Sequence, residues 1–322
     1  MLDVGAGNLV AAPMNLTRRQ EGNMTVEAVS QLVGRLAAST LALASLAAML
    51  EEKAGDSRIN SAMKPDIDRL LETLDVPEML DGVEAPHLKP VIADIRSTLR
   101  LASRVALTPT SDPGWNVVDA QTLQTQGAVS ARIPHNWKRD IVPRLEGLAA
   151  RLESTNGAFL DVGVGVAALS ISMAQLWPSL RVVGIDPWAP ALEIARESVV
   201  KANLSKRIEL REQGVQDLPD TDAFDLVWIP TQFIGGHLVR SALERIHRAL
   251  RPGGWILAAA VRHDPDPFIS ASLRLRNTLR GGGSTAPAEI EALLKDLGYG
   301  QVQTLSGGVG TARGALVVAS RT

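Results

Sequence analysis

The chain has 322 residues, long enough for one large or two ordinary domains. A formal net charge of −2 gives no strong pull toward nucleic acid, and the absence of cysteine excludes disulfides and thiolate metal sites. Alanine, leucine and valine dominate and aromatics make up 3% of residues, which favours a helix-rich α/β core over a β-sandwich. The start, MLDVGAGNLVAAPM, lacks the basic n-region of a secretory signal, and residues 1–22 read as a poorly ordered arm. Leu2 to Gly7 nearly copies Leu160 to Gly165, but too little chain precedes it to form the strand that such a turn needs. Thr25 or Asn23 is placed to cap a helix running to about Ala54, with Gly55 as its stop. Leu32, Leu36, Leu43, Leu46 and Leu50 give it a broad apolar face that must pack in a bundle or against a second subunit. The run Leu36 to Leu50 is 15 residues, bounded by Arg35 and Glu51. That falls short of the roughly 18–20 residues of a membrane span. The expectation is a soluble, cytoplasmic protein with no membrane partner.

Asp66 to Leu74 reads as a second helix, Val76 to Pro90 as turn-rich, and Val91 to Leu107 as a third helix. Thr108 to Gly114 is a loop by composition. Trp115 to Ala120 is a short strand or turn, and Gln121 to Ser130 is helical in part. Residues 23–132 therefore form a helical domain without a nameable catalytic motif. Ile133-Pro-His-Asn-Trp137 leads into a helix over Ile141 to Glu153. From residue 158 strands and helices alternate, the pattern of a doubly wound parallel sheet with helices on both faces. The strands are Ala158 to Val162, Arg181 to Ile185, Arg207 to Arg211, Phe224 to Ile229 and Gly254 to Val261. Helices lie over Val166 to Trp177, Pro190 to Asn203, His237 to Leu250 and Ala288 to Leu297. Arg251-Pro-Gly-Gly254 is a tight turn, and residues 281–285, GGGST, a flexible loop. Gln301 to Leu305 and Ala315 to Ser320 pair as a terminal antiparallel hairpin.

The stretch Phe159 to Trp188 carries the chemistry. A buried strand runs into Asp161-Val-Gly163-Val-Gly165-Val-Ala167, whose glycines permit positive φ and close approach of a ligand to the backbone. Asp186 closes the next strand, 25 residues after Asp161, where an acid accepts hydrogen bonds from both ribose hydroxyls. A dinucleotide fold would rest a pyrophosphate on the helix N-terminus, and Ala168 stands where its third glycine would fall. Asp161 would repel that pyrophosphate. It suits a ligand with an ammonium and no phosphate.

These residues resemble the class I S-adenosylmethionine (SAM) dependent methyltransferases. Asp161, Gly163, Gly165 and Ala167 match their first motif with one change, glycine to alanine, and Asp186 in VVGIDPW matches the second. FDLVWIP (224–230) and LRPGGWIL (250–257) continue the resemblance, which covers roughly residues 135–322. It implies a seven-stranded Rossmann-like sheet over 133–322, with SAM as cofactor and S-adenosylhomocysteine as product. Gly163 and Gly165 then approach the methionine part, Asp161 orients its amino group and Asp186 holds the ribose. Pro187 and Trp188 wall the adenine, although Trp188 is equally readable as core packing. The family's adenine acid falls near Gly214 in the stretch Gln213-Gly214-Val215, so Gln213 or Asp217 must substitute. Pro230 to Ile234 is a candidate wall between cofactor and acceptor.

A base is required only where the acceptor loses a proton. His237, His135 and His263 are the candidates, with Arg132 and Trp137 brought near the site by a covering segment, unless that segment is a plain linker. No Asn/Asp-Pro-Pro-Tyr-like sequence follows the fourth strand, which argues against methylation of nucleobases or amides. The expected activity is O-methylation of a small, fairly apolar acceptor of secondary metabolism, with a possible homodimer through the N-terminal helices. Rival readings are N- or C-methylation, non-methyl chemistry such as cyclisation, a non-catalytic SAM-binding partner protein, and a nicotinamide dehydrogenase.

Overall fold

The structure is a computed structural model and describes residues 26–110, 114, 120–261, 264–306 and 314–322. Expectations on residues 1–22, on Trp115 and on His263 lie outside these. The chain divides into two compact units at Ser103/Arg104. The sequence placed the boundary at 132/133, whereas the described residues between Arg104 and Arg132 group with the sheet.

The first unit is helical. α1 (Val26–Ala54) is followed by α2 (Lys64–Glu72), α3 (Val76–Met79) and α4 (Ala85–Leu107). Part of the stretch read as turns is thus helix, its start helped by Pro77 and Pro86 in first turns, where a missing N–H costs nothing. The C-terminal half of α1 buries Ala47 and Leu50 against Leu88, Ile92 and Ile95 of α4. Arg96 forks onto Glu51 at 2.8 and 2.6 Å, which holds the Glu51 carboxyl below its usual range. The first half of α1 is different: Val26, Val29, Val33, Leu36 and Leu41 are exposed. The length argument against a membrane span also fails, because α1 is one helix of 29 residues, long and apolar enough to cross a membrane by length and composition.

The second unit is a seven-stranded sheet of order β3-β2-β1-β4-β5-β7-β6. Its strands are β1 (Ala158–Val162), β2 (Arg181–Asp186), β3 (Ile208–Glu212), β4 (Phe224–Pro230), β5 (Leu250–Val261), β6 (Tyr299–Ser306) and β7 (Gly314–Arg321). β1 to β5 run parallel, and β7 is inserted antiparallel between β5 and β6. The expected doubly wound sheet with its terminal hairpin is therefore present. β1 and β4 sit at its centre and are buried along their whole length, as continuous apolar runs in parallel strands must be. Around the sheet lie α5 (Ala120–Ser130), α6 (Ile133–Asn136), α7 (Leu148–Glu153), α8 (Ala168–Leu176), α9 (Ala189–Lys201), α10 (Gly236–Ala249), α11 (Pro267–Leu279) and α12 (Pro287–Asp296).

Four local readings are corrected. The single helix expected over 141–153 is broken into a π turn (Trp137–Ile141), a 3-10 turn (Val142–Arg144) and α7. Pro143 lacks the N–H a helix needs, and Gly147 takes φ +71°. Arg251 to Gly254 is not a free turn: β5 already pairs at Leu250 and is bulged, with Gly253 at φ +73°. α11 was missed, although Asp266 caps it by accepting from the N–H groups of Phe268 (2.7 Å) and Ile269 (3.2 Å) and Pro267 opens its first turn. The glycines 281–283 are packed rather than flexible. A Cβ on Gly282 would lie 1.9 Å from the Gln232 carbonyl oxygen, and one on Gly283 would lie 3.2 Å from the Gly236 nitrogen.

Trp137 is fully buried. Its ring lies 4.9 Å from Trp228 and meets Phe159 edge-on at 6.5 Å, so it pins the broken segment to β1 and β4. Each such aromatic pair adds about 0.5–1.5 kcal/mol beyond the area it buries.

Candidate functional site

The site is built at the carboxyl ends of β1, β2 and β4, where ligands bind in open parallel sheets. β1 delivers Asp161 and then a left-handed turn. Gly163 (φ +71°), Gly165 (φ +54°) and Ala167 (φ +63°) all sit at positive φ. The first two leave room for a ligand: a Cβ on Gly163 would meet nothing nearer than Pro230 Cγ at 3.7 Å, and one on Gly165 nothing nearer than 4.0 Å. Ala167, the departure from the glycine motif, keeps glycine's backbone conformation at a cost of about 1–2 kcal/mol and is itself buried.

The turn is held from two sides. Gly184 on β2 admits Val164, whose Cγ2 would lie 2.5 Å from a Cβ there. On the other side α5 brings Gly127 onto the turn, so close that a Cβ would fall 2.4 Å from Val166 Cγ2. That this polar helix is a wall of the turn was missed from sequence, where the glycine in its middle was the one readable signal.

Asp161 is 2% exposed and accepts a 2.7 Å hydrogen bond from Ser170 Oγ of α8. Burial pushes its carboxyl up to about 7; Ser170 opposes the shift and the Asp186 charge adds to it. Asp186 spends one lone pair on each oxygen: Gly165 N–H donates to Oδ2 and Trp188 N–H to Oδ1, both at 3.0 Å. Burial also raises the Asp186 carboxyl, against the pull of these two bonds. A carboxylate has about four lone-pair sites, so both oxygens keep one for a ribose hydroxyl. The Asp186 carbonyl accepts from Gln213 N–H at 3.2 Å, which draws the end of β3 to the site. There Gln213 Nε2 is buried without a hydrogen-bond partner. It is a donor suited to a ring nitrogen of adenine, so the residues present fit an adenosyl cofactor.

The other expected residues separate. Trp188 is half-buried at the start of α9 and Pro187 is exposed. Gly214 is extended, and its neighbouring volume is filled by the Gln216 side chain. Val215 packs into the core with Ile185 and Leu218. Pro230 ends β4 opposite Gly163. His237 is exposed in the first turn of α10, beside Gly235. His135 faces α8, with Nδ1 3.4 Å from Ser172 Oγ.

Residues 159–254 match the family model described as a methyltransferase domain. A demethylmenaquinone methyltransferase of Lactobacillus johnsonii is 27% identical over 148 residues, which make up 45% of this chain and 58% of that protein. A ubiquinone biosynthesis O-methyltransferase of Xanthomonas axonopodis pv. citri is 29% identical over 174 residues, 51% of this chain and 71% of that protein. The chain spans between about half and seven-tenths of these curated relatives. The solved structure of an O-methyltransferase family protein from Burkholderia thailandensis superposes with a TM-score of 0.59 at 14% identity, covering 94% of this chain and 99% of that one. Sheet order, glycine turn and domain match together define a class I fold. Residues 159–254 form a methyltransferase domain, and the sheet around them has the fold of the SAM-dependent methyltransferases.

Proposed function

We propose that the protein transfers a methyl group from SAM to a hydroxyl of a small, fairly apolar acceptor of secondary metabolism. One observation carries this reading: a buried acid, an open glycine turn and a second acid with a lone pair to spare on each oxygen lie along one sheet edge. When bound, SAM supplies an electrophilic methyl on a sulfonium; the acceptor oxygen forms the new O–C bond as S–C breaks, leaving S-adenosylhomocysteine and a proton.

The chain's own residues position and discharge. Asp161, ionised, holds the cofactor's amino group. Asp186 fixes the ribose and Gln213 Nε2 reads the adenine. Pro230 and the turn after it separate cofactor from acceptor, so that orientation supplies much of the rate. His237, exposed in the first turn of α10 after β4, is the proposed group to which the acceptor's proton passes. The oxygen acceptor is supported by the name of the Xanthomonas relative and by Pro-Thr-Gln standing where amino-methylating enzymes carry their proline motif. The exposed apolar half of α1 is the proposed pairing face of a cytoplasmic homodimer.

Calorimetric titration of the purified protein with SAM, S-adenosylhomocysteine and NADH tests the reading. Binding of the first two alone is expected, and Asp186→Ala should weaken both at least about tenfold, a loss of about 1.4 kcal/mol. Binding of NADH, or undiminished SAM affinity in the variant, would refute it.

A further inference from the structure

Ser170 lies in the first turn of α8, the helix that leaves the glycine turn, and it is wholly buried. Its hydroxyl reaches back to β1 and donates to Asp161 Oδ2 at 2.7 Å. Its N–H sits where a helix supplies no internal acceptor, and it bonds the same carboxyl. The positive end of α8 is thereby turned onto Asp161. In a dinucleotide fold that end receives a pyrophosphate. Here it serves a side chain of the protein itself. The other carboxyl oxygen, Oδ1, accepts no side-chain hydrogen bond among the described residues.

An acid in this place depends on such a donor. Asp161 is 2% exposed, and the strands beside it set Gly184 and Trp228 in register with it. Neither carries a countercharge. Asp186, at the end of β2, is the other charge that acts on it among the described residues, and it repels. Burial and Asp186 both favour the protonated acid, and Ser170 alone favours the carboxylate. A protonated acid offers an ammonium group no charge. The Ser170 bond also fixes how the carboxyl plane is turned, because it ties one named oxygen to the helix.

On the methyl-transfer reading above, we propose that Ser170 is a positioning residue for the cofactor. It holds Asp161 as a carboxylate with one oxygen tied to α8 and the other left for the amino group of SAM. Being wholly buried, Ser170 touches neither cofactor nor acceptor and acts through Asp161.

Two measurements on wild type and Ser170→Ala test this. The first is calorimetric titration with S-adenosylhomocysteine from pH 6 to 8.5. Wild-type affinity should fall as pH drops below about 7, where Asp161 takes up its proton. In the variant the fall should begin at least about one pH unit higher, the size of one hydrogen bond to a charged group. The variant should therefore bind about fivefold more weakly at pH 7 and regain most of that by pH 8.5. A loss of the same size at every pH would mean that Ser170 only supports the turn, and would overturn the proposal. So would a profile that does not move. The second measurement is urea unfolding of the ligand-free proteins over the same range. The deficit of Ser170→Ala should widen as pH rises, since the fold then holds a charge without its donor. In an Asp161→Asn background the same substitution should carry a deficit that pH does not change. A deficit that stays constant with Asp161 present, or widens with Asn there, would refute the link. Failure of S-adenosylhomocysteine to bind wild type at any pH would reject the methyl-transfer reading and the proposal with it, whereas binding with an unshifted profile rejects the proposal alone.

Discussion

Asp161→Asn should make the ligand-free protein more stable at pH 8, not less. The Asp161 carboxyl titrates near 7 in the fold against an ordinary value of 3.8, because burial penalises its charge. Between those values the folded protein carries a proton that the unfolded chain has lost. Stability therefore falls as pH rises through the window, and the loss is complete above about 7. Three pH units at about 1.36 kcal/mol each give a ceiling of about 4 kcal/mol. The replacement amide keeps the shape and an oxygen for the Ser170 hydroxyl but never ionises. Urea unfolding at 25 °C across pH 4.5–8.5 should show the variant gaining on wild type as pH rises, with the two converging near pH 4. A gap that does not change with pH, or a variant less stable at pH 8, would refute the argument. The same charge should appear in binding: wild-type affinity for SAM should drop as pH falls below about 7, while the variant binds weakly without that dependence.

Gly127→Ala should lower both Tm and SAM affinity, because its Cβ would fall 2.4 Å from Val166 Cγ2 and displace either α5 or the glycine turn; unchanged calorimetric titrations would show that α5 does not brace the turn. Asp225→Ala should cost about 2–3 kcal/mol in urea unfolding, since it strips the 4%-exposed carboxylate that pairs with Arg151 (3.1 Å) and Arg251 (2.6 Å) and accepts from Ala158 N–H (3.0 Å). The two arginines are partly exposed, which keeps the figure at the low end, and SAM affinity should hold; a loss under about 1 kcal/mol would mean that water replaces the cluster.

The central strands were legible because parallel strands buried on both faces read as short apolar runs, and Asp161 and Asp186 were legible because a turn and a strand end fix their positions locally. Pro230 to Ile234 was legible as a wall after β4, but what fixes it was not: the glycines 281–283, some fifty residues later, press on that turn, and a run of three glycines reads as slack until a backbone is seen pressed against it. α5 was placed as a helix but not as a wall of the site, since its polar sequence carries no hint of Val166 beyond Gly127. The expected helix over 141–153 was misread because Ile141, Leu145, Leu148 and Leu152 keep helical spacing, while Pro143 and Gly147 interrupt the hydrogen bonding. Packing anchored by Trp137 then outweighed the continuity of the helix.

The two ends of the sheet differ in a way that bears on the proposed activity. At the amino end, Asp225 satisfies Arg151, Arg251 and Ala158, while the same arginines also donate to the Pro252 and Asn156 carbonyls. Within that cluster the charges answer one another, although His247 Nε2 in the last turn of α10 is buried without a partner. At the carboxyl end Asp161 is buried with a raised pKa, Ala167 is held at positive φ, and Gln213 Nε2 and Gln232 Oε1 are sealed without partners. Each of these opposes folding, and none is relieved by another. Along the edge where β1, β3 and β4 finish, these penalties are stability given up for groups that a bound cofactor and acceptor complete. Ligand binding should therefore stabilise this protein by more than contact area suggests, since it also removes penalties that the free protein carries.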